Sequence, residues 1–106
     1  MKIIETYGSR GRDVEDLMPE LARLLAVELV ARQSDFWGEY YTWDGPGDEW
    51  ISIKPNVTDE DGDLTEADFP DHIAFVTVVD RRQPPVDTLA AVRSMAGLEH
   101  LRSQQF

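Results

Sequence analysis

FWGEYYTWDGPGDEWISIK, residues 36–54, reads as a β-hairpin. Two arms rich in aromatic and β-branched residues flank Asp44-Gly45-Pro46-Gly47-Asp48, a turn in which glycine and proline stop either arm from continuing. Side chains alternate across a strand. Trp37, Glu39, Tyr41 and Trp43 therefore share one face of the first arm, and Phe36, Gly38, Tyr40 and Thr42 the other. On the second arm Ile51 and Ile53 oppose Trp50, Ser52 and Lys54. Both faces of the first arm are aromatic, whereas a small two-layer domain has helices for only one face of its sheet. Either a second cover folds over the other face, such as the long connection after Pro55, or an aromatic face is left for a partner.

Working outward, Lys2 to Tyr7 reads as a strand that ends in the flexible loop Gly8-Ser9-Arg10-Gly11-Arg12. A helix follows, because Val14, Leu17, Met18, Leu21, Leu24, Leu25 and Leu29 recur at steps of three and four. Asp13 is placed to cap it, and Pro19 implies either a kink or a separate first turn. On this reading Glu28 lies in the apolar stripe four residues before Arg32, and Val27 and Val30 fall on the polar face. Past the hairpin, Asn56 to Asp71 is a long polar connection, and Ile73 to Val79 is an apolar run fit for a strand covered on both faces. Pro84-Pro85 prepares a second helix with Val86, Leu89, Ala90, Val92 and Ala96 inward and Gly97 as its stop; Leu98 to Leu101 suits a last short strand. The order β-α-β-β-β-α(-β) predicts a single α+β domain over residues 1–106. It has two layers, with two helices on one face of a mainly antiparallel sheet. A ferredoxin-like relative with an extra strand is one such topology.

Charge is distributed less evenly than structure. The chain carries −11, and residues 35–71 hold twelve acids (Asp35, Glu39, Asp44, Asp48, Glu49, Asp59, Glu60, Asp61, Asp63, Glu66, Asp68 and Asp71) against Lys54 alone, so that segment accounts for all of it. The same segment holds all three tryptophans. Such a charge opposes phosphate backbones and anionic lipid, so neither nucleic acid nor membrane is the expected partner. A cationic protein is, because charge steers encounter and desolvated rings hold the complex. Trp37, Tyr40, Tyr41 and Trp43 are the candidate contacts, with Asp44, Asp48 and Glu49 at their rim; Val27 and Val30 suggest a patch for self-association into a homodimer. With no cysteine there is no disulfide framework or thiolate metal site. The Met1–Tyr7 stretch lacks a signal-peptide apolar region and no apolar run reaches a span of roughly 18 residues, so a soluble cytoplasmic protein is expected.

Two constellations carry rival chemistries. DEDGDLTEAD, residues 59–68, resembles the later part of an EF-hand calcium loop, with Asp59, Asp61, Asp63 and Asp68 as candidate calcium ligands around Gly62. Val57 stands where that pattern needs its first oxygen, and Pro55 and Pro70 stand where it needs helices. Asp68, Asp71 and His72 form an oxygen and nitrogen cluster that suits a small hydrolase. No serine-elbow, zinc-helix or phosphate-loop motif is present. Finally, the acidic αβ layout and the hairpin FWGEYYTWDG, residues 36–45, resemble small immunity proteins encoded beside bacterial toxins. The resemblance is one of size, acidity and pattern, and no site residue carries over. It implies a stoichiometric, non-catalytic protein that masks a cationic toxin domain.

Crowding twelve acids into a third of the chain predicts self-repulsion that salt screens. The melting temperature should rise between low and moderate salt; a fall would mean that the acids are paired or metal-bound in the folded protein.

Overall fold

The computed structural model describes residues 3–35, 38–45, 50–58, 62, 64, 66–80 and 86–105. Its elements, in chain order, are β1 (Ile3–Ser9), α1 (Val14–Leu25), β2 (Val30–Ser34), β3 (Gly38–Asp44), β4 (Trp50–Pro55), β5 (Ala74–Asp80), α2 (Val86–Ser94) and β6 (Leu98–Gln105). The strands form one sheet in the order β2-β3-β4-β5-β1-β6, and every neighbouring pair is antiparallel. This is an α+β architecture with the two helices packed beside each other on one face. The described residues form six strands, where four and an optional fifth were expected.

Parity decides what the helices bury. Tyr41 stands opposite Ile53, Ile53 opposite Val76, and Val76 opposite Tyr7, so these side chains share one face across four strands. Ile51, Ala74 and Val78 join them, and Val14, Leu17 and Leu21 of α1 and Val92 of α2 close over the group. Each such side chain contributes on the order of 1.5–3 kcal/mol when fully buried. The stripe of α2 differs from expectation. Val92 and Met95 are buried, whereas Ala90 and Ala96 face solvent.

The other face is covered in part by the connection after β4. Asn56 clips that loop to itself: its Nδ2 donates to the Phe69 and His72 carbonyls at 3.1 and 3.0 Å, and its Oδ1 accepts from the Glu66 N–H at 3.0 Å. Phe69 and His72 are thereby set against Phe75 of β5, with ring centroids 5.9 to 6.4 Å apart. Arg102 of β6 pins the loop from outside, its guanidinium 5.5 Å above the Phe69 ring and bonded to Glu66 at 3.1 Å. Close seating on β1 requires Gly8, where a Cβ would stand 2.5 Å from Leu101 Cδ1 and 2.8 Å from His72 Cδ2. β5 lies between these two covers, and Ala74, Phe75, Val76, Val78 and Val79 are all buried. From Ala74 to Val79 the apolar run is thus a strand covered on both faces, as its composition predicts, whereas Ile73 precedes the strand and is exposed.

Four expectations are corrected by the chain path. The first helix ends at Leu25 rather than continuing to Leu29, because Ala26 turns left-handed (φ 53°, ψ 44°) and the Val27 N–H closes back onto the Ala22 carbonyl at 3.1 Å. Glu28 and Arg32 consequently share no helix face, and Val30 begins β2 instead of lying on a helix. Of the two readings of Pro19, the separate first turn is excluded: α1 runs through Pro19 from the Asp13 cap, whose carboxylate accepts from the Asp16 N–H at 3.0 Å. The loop after β1 is tied down rather than flexible: Arg12 donates to Asp16 at 2.7 Å, Glu20 at 3.1 Å and the Ala96 carbonyl at 2.8 Å. Last, β6 extends to Gln105 rather than stopping at Leu101.

The left-handed turn at Ala26 costs a residue with a Cβ about 1–2 kcal/mol, while glycine loosens the unfolded chain by about 0.4–1 kcal/mol. Ala26→Gly should therefore stabilise the fold by about 0.5–1 kcal/mol. Urea midpoints at constant slope measure this, and a destabilised variant would contradict the capping account.

Candidate functional site

The acidic, aromatic segment meets the sheet at its β2–β3–β4 end. β2 holds the edge, with Val30 48% exposed and Arg32 reaching back to Thr42 Oγ1 at 3.3 Å. On the face away from the helices, Tyr40 and Trp50 are half-buried, Asp44 is exposed, and the Lys54 ammonium stands 5.5 Å from the Trp50 ring. On the helix side, Trp43 is half-buried against the core and Tyr41 is 6% exposed. The candidate contacts are therefore split by strand parity: Tyr40 and Asp44 on one face, Tyr41 and Trp43 on the other. Tyr41 belongs to the core. Trp37, Asp48 and Glu49 lie outside the described residues.

Beneath Tyr41 two carboxylates converge. Its hydroxyl lies 2.9 and 3.0 Å from the Glu15 oxygens and 3.0 Å from Glu39 Oε1. One O–H carries one proton, so it donates to a single oxygen at a time while serving two anions. Bonding to Glu15, burial and bonding to Glu39, in that order, hold the phenol above its ordinary range, because ionising it would set a third negative charge among these groups.

The calcium and hydrolase constellations are placed differently. Asp59, Asp61 and Asp63 lie outside the described residues, and Asp68 is exposed. Around them Thr58 and Leu64 form an antiparallel bridge, and Gly62 takes the positive φ of 86° that a sharp turn needs. Among the described residues no group of three or more potential ligands is placed to hold a metal ion. Asp71 is exposed like Asp68, whereas His72 is 5% exposed and turned inward onto Phe69 and Phe75. Its ring nitrogens make no hydrogen bond among the described residues, and Nε2 stands 3.5 Å from Glu99, which Arg10 already holds at 2.9 Å. The two carboxylates and the imidazole do not converge.

A further polar group escapes sequence reading. β1 and β6 pair so that Glu5 faces Ser103 and Tyr7 faces His100. Glu5, 9% exposed, then accepts from Ser103 Oγ and meets His100 Nε2, both at 2.6 Å, while Arg93 of α2 donates to the Tyr7 hydroxyl at 3.0 Å. The one local signal was a carboxylate inside Ile3-Ile4-Glu5-Thr6-Tyr7; its partners lie more than ninety residues away.

No family model, curated protein or solved structure matches this chain. No helix of the described residues is long and apolar enough to cross a membrane.

Tyr41→Phe removes a partly buried hydrogen bond and should cost about 1 kcal/mol near neutral pH. The phenol's proton is held more tightly in the folded chain, so its contribution is complete below the unfolded value of ~10 and fades as pH rises from there toward the raised folded value. The stability gap between wild type and Tyr41→Phe, read from urea midpoints, should therefore narrow above pH ~10. A gap that stays constant into strong alkali would remove the carboxylates as the cause.

Proposed function

We propose that this chain is a non-catalytic protein-binding module whose acidic, aromatic segment, residues 35–71, binds a cationic protein partner. Neutralising a toxin in the manner of an immunity protein is the particular role its resemblance implies. The observation that carries the reading is the confinement of the entire −11 net charge to that segment, with neutral flanks. General acidity would spread the charge along the chain. The described placement supports the reading, because Asp35, Glu39, Asp44, Asp68 and Asp71 are all solvent-exposed. Exposed carboxylates of one sign raise the rate at which a basic surface finds its orientation, and they make the complex sensitive to salt. Half-buried Tyr40 and Trp50 offer apolar area beside that charge.

Capture with tagged protein at low and moderate ionic strength tests this, using wild type beside a variant with Asp35→Asn, Asp44→Asn, Asp68→Asn and Asp71→Asn. The expected result is a basic protein held stoichiometrically by wild type, shed by salt, and bound by the variant with association slowed roughly tenfold or more. Capture that is indifferent to both salt and the four substitutions would sink the reading.

A further inference from the structure

The two edges of the sheet are guarded unequally. β6 is broken in register against β1 between Thr6 and Tyr7. Such a bulge is one of the devices by which edges avoid pairing with other chains. β2 has none. It pairs with β3 in unbroken register from Val30↔Thr42 to Ser34↔Gly38, and Val30 to Gln33 are all exposed. Its one charge, on Arg32, is bent back onto Thr42. In an antiparallel pair alternate residues turn their N–H and C=O groups away from the neighbour, so the exposed stretch Val30 to Gln33 presents a short ladder to another strand.

Resting on the reading above that the partner is cationic, we infer that β2 is a strand-addition site: it takes an extended, lysine- or arginine-bearing segment of the partner as a seventh strand. Charge selects that occupant. Glu28 and Asp35, both exposed, bracket the strand. On the helix side Gln33 faces Glu39 and Ala31 faces Tyr41, whose hydroxyl joins Glu39 to Glu15. Strands lie about 4.8 Å apart, so a residue added opposite Gln33 sits roughly 10 Å from the Glu39 backbone, a distance that lysine and glutamate side chains together span. The cation would meet two carboxylates that share a single phenolic proton. A second copy of this chain fits less well, because pairing two β2 strands brings together two bodies of charge −11. Main-chain pairing supplies affinity in this mode, and the side chains supply choice.

The test uses the isotope-labelled full chain and two synthetic eight-residue peptides. One alternates lysine with valine and threonine; the other has equal charge with a central proline that removes a ladder donor. The alternating peptide should bind roughly tenfold more tightly. Its amide shifts and slowed exchange should fall on residues 30–34. Ala31→Lys at this exposed position should abolish the difference without lowering the melting temperature. Equal binding of the two peptides, with shifts spread over residues 35–71, overturns strand addition and leaves the charge-based reading standing. Binding of neither overturns strand addition, and the capture experiment then judges the broader reading alone. A doubled mass without peptide, lost in Ala31→Lys, assigns the edge to a second copy and also overturns the inference.

Discussion

Everything in this fold follows from β5 being apolar on both of its faces. Ala74, Val76 and Val78 turn one way, Phe75 and Val79 the other, and all five are buried. A strand of this kind has no side to offer water, so the sheet around it must be covered twice. Two helices supply one cover. For the second, the chain uses the connection between β4 and β5, which has to be polar enough to face solvent and still set aromatic rings against Phe75. Asn56 makes that possible by satisfying two carbonyls and one N–H of the loop at a stroke, which lets Phe69 and His72 be held without a third helix.

The same constraint explains where polar groups enter the interior. Six strands at about 4.8 Å spacing make a sheet roughly 24 Å wide, whereas two helices side by side at about 10 Å cover its middle best. The outer strands therefore run beyond the helices. There the helix-side positions become polar, with Glu39 and Gln33 at the β2–β3 end and His100 and Ser103 at the β6 end. Tyr41 and Tyr7 stand at these two borders, each with its ring in the core and its hydroxyl bonded outward, to carboxylates in one case and to Arg93 in the other. Tyrosine suits a border because it has an apolar body and a polar tip.

What could be read from the residues was whatever local pattern determines. The hairpin's parity, the doubly covered strand, the Asp13 cap and the α+β layout all rest on neighbours within a few positions. The end of the first helix could not be read, because Leu29 continues the four-residue step from Leu25 while the stop is made by an alanine, a residue that seldom turns left-handed. Missing that stop hid β2, since VARQS contains one β-branched residue and becomes a strand through its pairing with β3. For the candidate site, alternation separated Tyr40 from Tyr41 and Trp43 correctly, but which set met the helices depended on strand order. Glu5 with His100 was illegible for a related reason: only the sheet brings the two ends of the chain together. His72 was misleading. The carboxylates near it in sequence face solvent, while its ring packs on Phe69, Phe75 and Gly8 and its nearest acid, Glu99, comes from β6.

The distribution of charge is then harder to explain as a folding device than as a device of recognition. Concentrating twelve carboxylates in residues 35–71 costs the folded state some self-repulsion, and an interspersed distribution would avoid that cost. Edge strands in monomeric proteins are usually guarded by a lysine, which repels other chains' edges without regard to partner. Here the residues that bracket the least protected edge are carboxylates. They repel a second copy of this chain as effectively as lysines would, yet they attract a basic strand. One sign of charge thus serves both purposes, because selectivity between partners depends on the difference between an attraction and a repulsion rather than on either alone. Under the proposed reading, the exposed stretch of β2 and the acidic segment beside it are two parts of one design, and neither is economical without the other.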